Sequence, residues 1–438
     1  MANPQQTSTG DSDGKIGLLA TLSIGIGGMV GGGIFAVLGL ASVLAGSATW
    51  LSFIVAGIIA LLTAYSYTKL SVAYPDQGGT IIFIDKAFGR DLFTGTVNNL
   101  LWLSYIVTLS LYAVAFGNYA STFLPTDQQT QLALHIFISL SIILPTLLNM
   151  LGAEVLSKAE TYVVGFKLAI LVLVTVVGFG GIDGTKLATS DWPPLLQIVS
   201  AGMIIFVAYE GFELIANTAS DVKDYKKTLP RAYYISVIFV MILYALIAIV
   251  VVGSLDANQI QQAQDFALAE AAKPSFGQLG FTLVAISAVL ATLSAINSTL
   301  YGAARLSYTI ASEGELPDVL EKKIWQQPIG LFITAGLALL LANTADLTSI
   351  STMASAGFLI IFAMVNMANW RKANEIGSNR IIAALGVVAC SAALAALIWY
   401  TLNDDPAQVL ILVGMLAAAF ILEGAYRWYR HGKPLKLS

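Results

Sequence analysis

The chain has 438 residues, of which only 11% are charged and 57% are hydrophobic. Soluble proteins carry roughly 25% charged residues, so this composition excludes a water-exposed globule. One transmembrane helix needs about 20 apolar residues, and the apolar content suffices for about a dozen such helices.

Twelve apolar segments are predicted as transmembrane helices, which makes the chain an all-α polytopic membrane protein. They follow a polar, turn-rich stretch, 1–14, that is predicted to be disordered and lacks the features of a signal peptide. The segments are 16–45, 49–71, 93–121, 130–150, 161–181, 194–217, 231–253, 277–311, 328–344, 347–369, 380–401 and 407–428. Between them, segment 258–272 is predicted to be an external surface helix.

The basic residues predict the orientation of these segments. With both termini in the cytoplasm, all but three of the 22 Lys and Arg residues fall on the inner side. Lys186 and Lys273 fall outside, and Lys167 lies within a segment. This asymmetry follows the positive-inside tendency and predicts a protein of the cell membrane (inner or plasma membrane) with both termini cytoplasmic. Beyond these loops no basic surface remains for nucleic acid.

Metal, redox and catalytic sites are poorly supported by the residue types present. Cys390 is the one cysteine, and His135 and His431 are the two histidines. They cannot form a disulfide framework or a Cys/His metal-ligand spacing, and no HExxH motif or nucleophile–base pair occurs in the apolar segments. The sequence therefore predicts no metal, no cofactor and no enzyme activity.

The first segment contains the run Gly31-Gly32-Gly33. Each glycine weakens a helix by about 1 kcal/mol relative to alanine, so an unwound stretch is expected here. Broken helices are tolerated in membranes where they line a cavity or pack in protein. The alternative is close helix packing of the GxxxG kind, which Gly27 and Gly31 match.

In the sixth segment, Glu210 and Glu213 flank Gly211 at membrane depth. Each buried acid costs roughly 2.5–3.5 kcal/mol, so the two are expected to be paired or to face a polar cavity. Alternatively, Glu213 only caps a half-helix. Interruptions in the first and sixth segments are typical of two inverted five-helix repeats with a central site, where free N–H groups suit a substrate carboxylate.

Four stretches resemble the amino acid–polyamine–organocation (APC) superfamily, and within it the proton-coupled amino acid permeases. They are Phe206 to Asp224 closing with Leu229-Pro230-Arg231-Ala232, Gly31 to Phe35, Tyr74-Pro75 to Gly78-Gly79 with Ala87-Phe88-Gly89, and Ala303-Ala304-Arg305 to Glu313-Gly314-Glu315-Leu316-Pro317. Thr80 departs from the pattern, since many members have an aromatic residue there.

The resemblance implies a leucine-transporter-like fold of twelve helices. It has two inverted five-helix repeats, 15–181 and 194–369, with helices 1 and 6 broken, two added helices over 380–428 and a cytoplasmic tail, 429–438. It also implies a substrate site. The N–H groups of Gly31, Gly32 and Gly33, beside Ile34, would bind the carboxylate. Carbonyls near Val207, Ala208 and Glu210 would bind the amino group, and Phe206 would close the site. Apart from the resemblance, Asn297 is a polar residue of the eighth segment and a candidate for lining the pocket.

By the same resemblance, Lys167 takes the place of a sodium ion, bridging the fifth segment to the first and to Ser294 in the eighth. The alternative is a lysine that snorkels to the interface. Burial disfavours the charged form of lysine, so Lys167 and Ser294, together with Glu210 and Glu213, are the candidates for proton coupling.

The sequence thus predicts a secondary active transporter in the lipid bilayer. It would take up a neutral, zwitterionic amino acid by alternating access, coupled to protons and independent of sodium. One alternative is an exchanger of cationic amino acids or polyamines, in which Glu210 or Glu213 neutralises the substrate. An ion channel is the other, although no filter-like repeat occurs. The oligomeric state stays open.

Overall fold

The computed structural model describes residues 16–150, 154–312, 314–316, 320, 322–324 and 327–431. In these ranges the chain is almost entirely helical, which confirms the all-α prediction. The exceptions are a hairpin of β1 (Lys323–Ile324) and β2 (Gln327–Pro328) and one main-chain bridge between Ile16 and Val222. The predicted disordered stretch 1–14 and the end of the tail, 432–438, lie outside the described residues.

The helices of the first half follow the predicted segments. They are α1 (Leu18–Met29), α2 (Gly33–Ala45), α3 (Thr49–Ala73), α4 (Thr80–Phe88), α5 (Leu92–Ser121), α6 (Gln131–Met150) and α7 (Glu154–Gly178). The short helix α4 lies in a region predicted as a loop. It begins after Gly79 and ends before Gly89, both of which have positive φ (49° and 92°), and residues other than glycine rarely adopt such angles.

The second half also follows the predicted segments. Its helices are α8 (Leu195–Ile204), two 3-10 helices (Phe206–Tyr209 and Phe212–Asp221), α9 (Tyr225–Ser254), α10 (Ala257–Gln262), α11 (Ala267–Ala271), α12 (Lys273–Ser312), α13 (Ile329–Thr344), α14 (Leu347–Ile376), α15 (Arg380–Asp404) and α16 (Pro406–His431). The predicted external helix 258–272 is in fact the pair α10 and α11, and α11 is largely buried. The second half, α11, therefore packs into the protein, whereas α10 is largely exposed.

Nine helical stretches among the described residues are long and apolar enough to cross a membrane. The pair α8 and Phe206–Asp221, bent by 56°, raises the number to ten if it is one span. Helices α2 and α3 form one continuous stretch, Gly33–Ala73, in this count, and α1 and α13 are too short to qualify alone. The chain is thus an integral membrane protein, while helix length by itself does not establish twelve spans.

Helix α5 lies at the centre of the bundle, where α6, α12, α13, α14 and α16 pack around it. Trp102 shows how enclosed it is. Sequence position suggests an interface anchor, as for Trp370, Trp399 and Trp428, but Trp102 is only 4% exposed and donates to Thr334 Oγ1 at 3.0 Å. That prediction was wrong for Trp102, because α5 is covered by protein along most of its length. The other three are exposed.

Candidate functional site

The first helix is interrupted at the glycine run. Helix α1 ends at Met29 and α2 begins at Gly33. Main-chain carbonyls beside such a break need donors from the protein, because the hydrocarbon region holds no water. The Gly27 carbonyl accepts a hydrogen bond from Lys167 Nζ at 3.0 Å, and the Met29 carbonyl accepts one from the Tyr244 hydroxyl at 2.6 Å. Helices α7 and α9 therefore supply the donors that the break requires.

A second interruption follows α8, which ends at Ile204. Gly211 has φ +118°, a left-handed conformation that glycine adopts without the cost imposed by a side chain. Two serines of α14 form hydrogen bonds with the main chain at the end of α8. Ser351 and Ser355 both donate to the Ile204 carbonyl, at 2.7 and 2.8 Å, and Ser355 Oγ accepts from the Val207 N–H at 3.0 Å.

The two interruptions lie against each other. A methyl group built on Gly28 would come within 2.8 Å of the Gly211 carbonyl oxygen, and one built on Gly33 within 2.9 Å of Ala208 Cα. Gly32 faces the ring of Tyr112. The glycine run is therefore both unwound and closely packed, so the two interpretations of the sequence describe the same feature.

Gly31 and several other residues predicted to contact the substrate are also closely packed. A methyl group on Gly31 would come within 3.0 Å of Ala295 Cβ in α12. The Val207 carbonyl accepts the Glu210 N–H at 3.0 Å. Four predicted site residues are at most 1% exposed: Ile34, Phe206, Val207 and Ala208. These residues are therefore buried where the two interruptions pack against each other.

Two tyrosines of α5 donate hydrogen bonds to Glu210 and Glu213. The Tyr112 hydroxyl donates to Glu210 Oε2 at 2.8 Å, and the Tyr105 hydroxyl donates to Glu213 Oε1 at 3.1 Å. Glu213 also accepts the Gly211 N–H at 2.7 Å, as the capping interpretation expects. Both carboxyl groups are buried and lie within hydrogen-bonding reach of each other.

The sequence contains a pattern that could have identified these tyrosines as candidate site residues. Tyr105, Tyr112 and Tyr119 are spaced by seven residues, which places them on one face of a helix. Tyr105 stands out as a polar residue of the third segment, but the sequence does not show that Tyr112 faces the sixth segment. Ser351, Ser355 and Tyr244 carry no comparable pattern, since their partners are main-chain carbonyls far away in sequence.

Lys167 is 1% exposed and reaches the first interruption through the Gly27 carbonyl. A snorkelling side chain would extend toward the interface, which this one does not. Ser294 is half-buried on α12, and its carbonyl accepts from Ser298 Oγ at 3.0 Å. Asn297 accepts from Asn149 Nδ2 at 2.7 Å and so joins α12 to α6.

Phe206 closes one side of the interruption after α8. Its ring meets Phe362 edge-on at 5.8 Å, and Phe362 belongs to a cluster with Tyr67, Phe212 and Phe358. Such edge-on pairs contribute about 0.5–1.5 kcal/mol beyond their buried area. The cluster anchors α3 and α14 to the segment around Phe206.

Comparison with known proteins identifies a matching family model and several proteins of similar sequence. A family model described as "Amino acid permease" matches residues 16–421. The inner membrane transport protein YbaT of Escherichia coli is 32% identical over 417 residues, covering 95% of this chain and 97% of that protein. An uncharacterized protein of Methanocaldococcus jannaschii is 33% identical over 94% of this chain and 95% of its own length. The branched-chain amino acid permease BcaP of Bacillus subtilis is 24% identical over 81% of this chain and 80% of its own length.

Proposed function

Since the chain belongs to the amino acid permease family, as a membrane transporter and not an enzyme, we propose that it takes up a neutral amino acid by proton-coupled, sodium-independent alternating access. The observation that carries the proposal is the hydrogen bond from Lys167 Nζ to the Gly27 carbonyl. It puts a tethered amino group at the interruption, where a sodium-coupled transporter would need a free cation.

The proposed architecture has twelve spans in two inverted repeats, 15–181 and 194–369, followed by 380–428. Two features support it. The first helix of each proposed repeat is interrupted, and each interruption is packed against the other. The basic loops are proposed to face the cytoplasm, with both termini, in the inner or plasma membrane. We use "basic end" for the side with Lys86, Arg90 and Lys223.

The substrate is proposed to bind between the interruptions once they separate. Its carboxylate would meet the N–H groups of Gly31, Gly32 and Gly33 at the start of α2, where the helix dipole favours an anion. Its amino group would meet the carbonyls of Val207, Ala208 and Glu210. The Val207 carbonyl now accepts the Glu210 N–H, so binding would exchange that contact for one with the substrate. Phe206 and Ile34 would cover the ligand, and Asn297 would lie at its edge.

Proton coupling is proposed to run through Lys167. A lysine taken out of water favours its neutral form, and loss of the proton would weaken its hold on the Gly27 carbonyl. The α1 half-helix would then be free to move away from α7. Ser294 is proposed as the partner of Lys167 on α12, with Glu210 and Glu213 as further proton carriers.

The preference for a neutral substrate follows from the acids. Tyr112 and Tyr105 already donate to Glu210 and Glu213, and Gly211 donates to Glu213. Satisfied carboxyl groups offer less to a cationic side chain than free ones would. The name of BcaP, a branched-chain amino acid permease, agrees with a neutral substrate. An exchanger of cationic amino acids or polyamines is the second candidate, because two buried acids stand beside the site.

Uptake of labelled alanine into proteoliposomes tests the coupling. Accumulation is expected when an inward proton gradient is imposed and sodium is replaced by choline. Uptake that disappears without sodium, while the proton gradient is intact, would overturn the proposal. Lys186→Ala is the matched control for Lys167→Ala, because Lys186 Nζ also donates to a main-chain carbonyl, that of Ser254 at 3.2 Å, which is outside both interruptions.

Competition decides between the two substrate classes. Neutral amino acids are expected to displace labelled alanine better than arginine, lysine or putrescine. The exchanger is favoured if a cationic compound competes better than every neutral amino acid and Glu210→Gln abolishes that competition alone.

A further inference from the structure

A second group of buried carboxyl groups lies at the basic end. It comprises Asp85 in α4, Glu315 after α12 and Glu423 in α16. Glu315 is 1% exposed and Glu423 is fully buried. The group meets α5 about two helical turns away from Tyr105, one of the two tyrosines through which α5 contacts the second interruption.

Two asparagines of α5 join these acids. Asn98 Nδ2 donates to Glu315 Oε2 at 2.7 Å and to Asp85 Oδ1 at 3.3 Å. Asn99 Nδ2 donates to Glu423 Oε2 at 3.1 Å and lies 3.5 Å from the Glu315 carbonyl oxygen. Three elements distant in sequence therefore share the amide groups of one helical turn.

Among the described residues, negative charge exceeds positive charge around this group. Its three acids and the neighbouring Asp91 are accompanied there by two arginines. Arg427 pairs with Glu423 and donates to the Asp91 carbonyl at 2.8 Å, and Arg90 pairs with Asp85 at 3.2 Å. Among the described residues neither arginine forms an ion pair with Glu315.

Glu315 is thus the acid whose ionised form is least compensated. Its Oε1 is buried and accepts no hydrogen bond from the described residues. Burial, reinforced by the charges of Asp85 and Glu423, raises the pKa of Glu315 to about 7, against the lowering effect of the Asn98 hydrogen bond and of Arg427. A proton on this carboxyl group removes the buried, uncompensated charge.

We propose that Glu315 is a proton-binding site on the cytoplasmic face, distinct from Lys167 and the interruptions, and that its ionisation releases the segment after α12 from α5. The protonated side chain keeps its contact with Asn98. The ionised side chain is repelled by Asp85 and Glu423 and moves toward water. Because α12 also carries Ala295, which packs on Gly31, the state of Glu315 acts on a helix of the transport site. The cytoplasmic side rests on the proposed orientation, whereas proton binding is independent of the substrate.

A single fluorophore reports this release. Cys390, the one cysteine, is fully buried, so Cys390→Ser with Ser312→Cys places one label at the exposed end of α12. In the purified full-length chain, label fluorescence is expected to change in one transition centred at pH about 7. The transition is expected to vanish in Glu315→Gln. A trace without a transition, or an unchanged transition in Glu315→Gln, would overturn the proposal. The same label at Gln261→Cys, at the opposite end, controls for the dye.

Two further variants decide the question even if Glu315→Gln fails to fold. Glu423→Gln removes a neighbouring acid whose charge raises the pKa of Glu315 and is expected to move the midpoint down. Asn98→Leu removes a donor to the carboxylate and is expected to move it up. Glu270→Gln, at the opposite end, should leave it in place. Midpoints that do not move in opposite directions contradict the assignment.

Discussion

Lys167 joins two helices through a side chain that could equally have reached the membrane surface. Its contact with the Gly27 carbonyl makes the proposed proton coupling depend on one residue. We expect Lys167→Ala to abolish gradient-driven accumulation while leaving part of the substrate binding. The measurement is alanine uptake in proteoliposomes, together with ligand-induced thermal stabilisation of the purified variant. Wild-type accumulation by Lys167→Ala would show that the lysine has no coupling role.

Tyr112 and Tyr119 provide a matched pair for the role of Glu210. Both are buried on the same face of α5, but Tyr112 donates to Glu210 at 2.8 Å, whereas the Tyr119 hydroxyl has no partner among the described residues. Tyr112→Phe should therefore lower stability by about 1–3 kcal/mol, the cost of leaving a buried polar group unpaired. Tyr119→Phe should leave it unchanged or slightly higher. Thermal unfolding of both variants in detergent tests this, and equal effects would contradict the assigned hydrogen bond.

At the scale of helices, the contact between the two interruptions depends on missing side chains. Gly33→Val would place a branched side chain against Ala208 Cα, which lies 2.9 Å from a methyl group built on Gly33. Overpacking of this kind costs about 1–3 kcal/mol, and we expect loss of alanine binding with retained membrane insertion. Gly336→Val is the control, because a methyl group on Gly336, in α13, would meet no atom within 4 Å. Normal alanine binding by Gly33→Val would contradict a binding role for the glycine run and would show that it serves only in helix packing.

Much of the helical arrangement could be predicted because it depends on local signals. Apolar runs, the Gly31-Gly32-Gly33 sequence and the acids around Gly211 mark the helices and both interruptions. What the sequence could not reveal is which residues satisfy the freed carbonyls. The donors Tyr244 and Ser351 lie 215 and 147 residues from their acceptors, and no period or motif connects such positions. The burial of Trp102 was missed for the same reason, since it depends on which helices surround α5.

For the molecule as a whole, the cluster at the basic end predicts a pH dependence of stability. The folded protein holds the proton of Glu315 up to a pKa of about 7, above the ordinary value of 4.5, so the folded state binds more protons between these values. The contribution of this group to the free energy of unfolding is complete below about pH 4.5 and is lost as pH rises through about 7, by about 3 kcal/mol. Glu315→Gln should remove this component from thermal unfolding measured across that range. A pH dependence unchanged by the substitution would contradict it.

This cluster also shows the limit of reading a membrane protein from its sequence. Glu315 could be read only as part of a family motif, and Glu423 as a charge near the end of the last segment. The structure brings both acids to α5. Asn98 donates to Glu315, 217 residues away, and Asn99 donates to Glu423, 324 residues away. Asparagine side chains are uncharged, so no charge pattern in the sequence predicts these hydrogen bonds.

The order of synthesis gives the interruption of the first helix a further consequence. Tyr244, which donates to the Met29 carbonyl, is made 215 residues later, and at about 5–20 residues per second the ribosome needs roughly 10–40 seconds to reach it. Until then that carbonyl lies in a newly inserted helix without its final donor, and an unsatisfied group in lipid costs several kcal/mol. The growing chain therefore passes through a period in which its first helix is poorly suited to the bilayer.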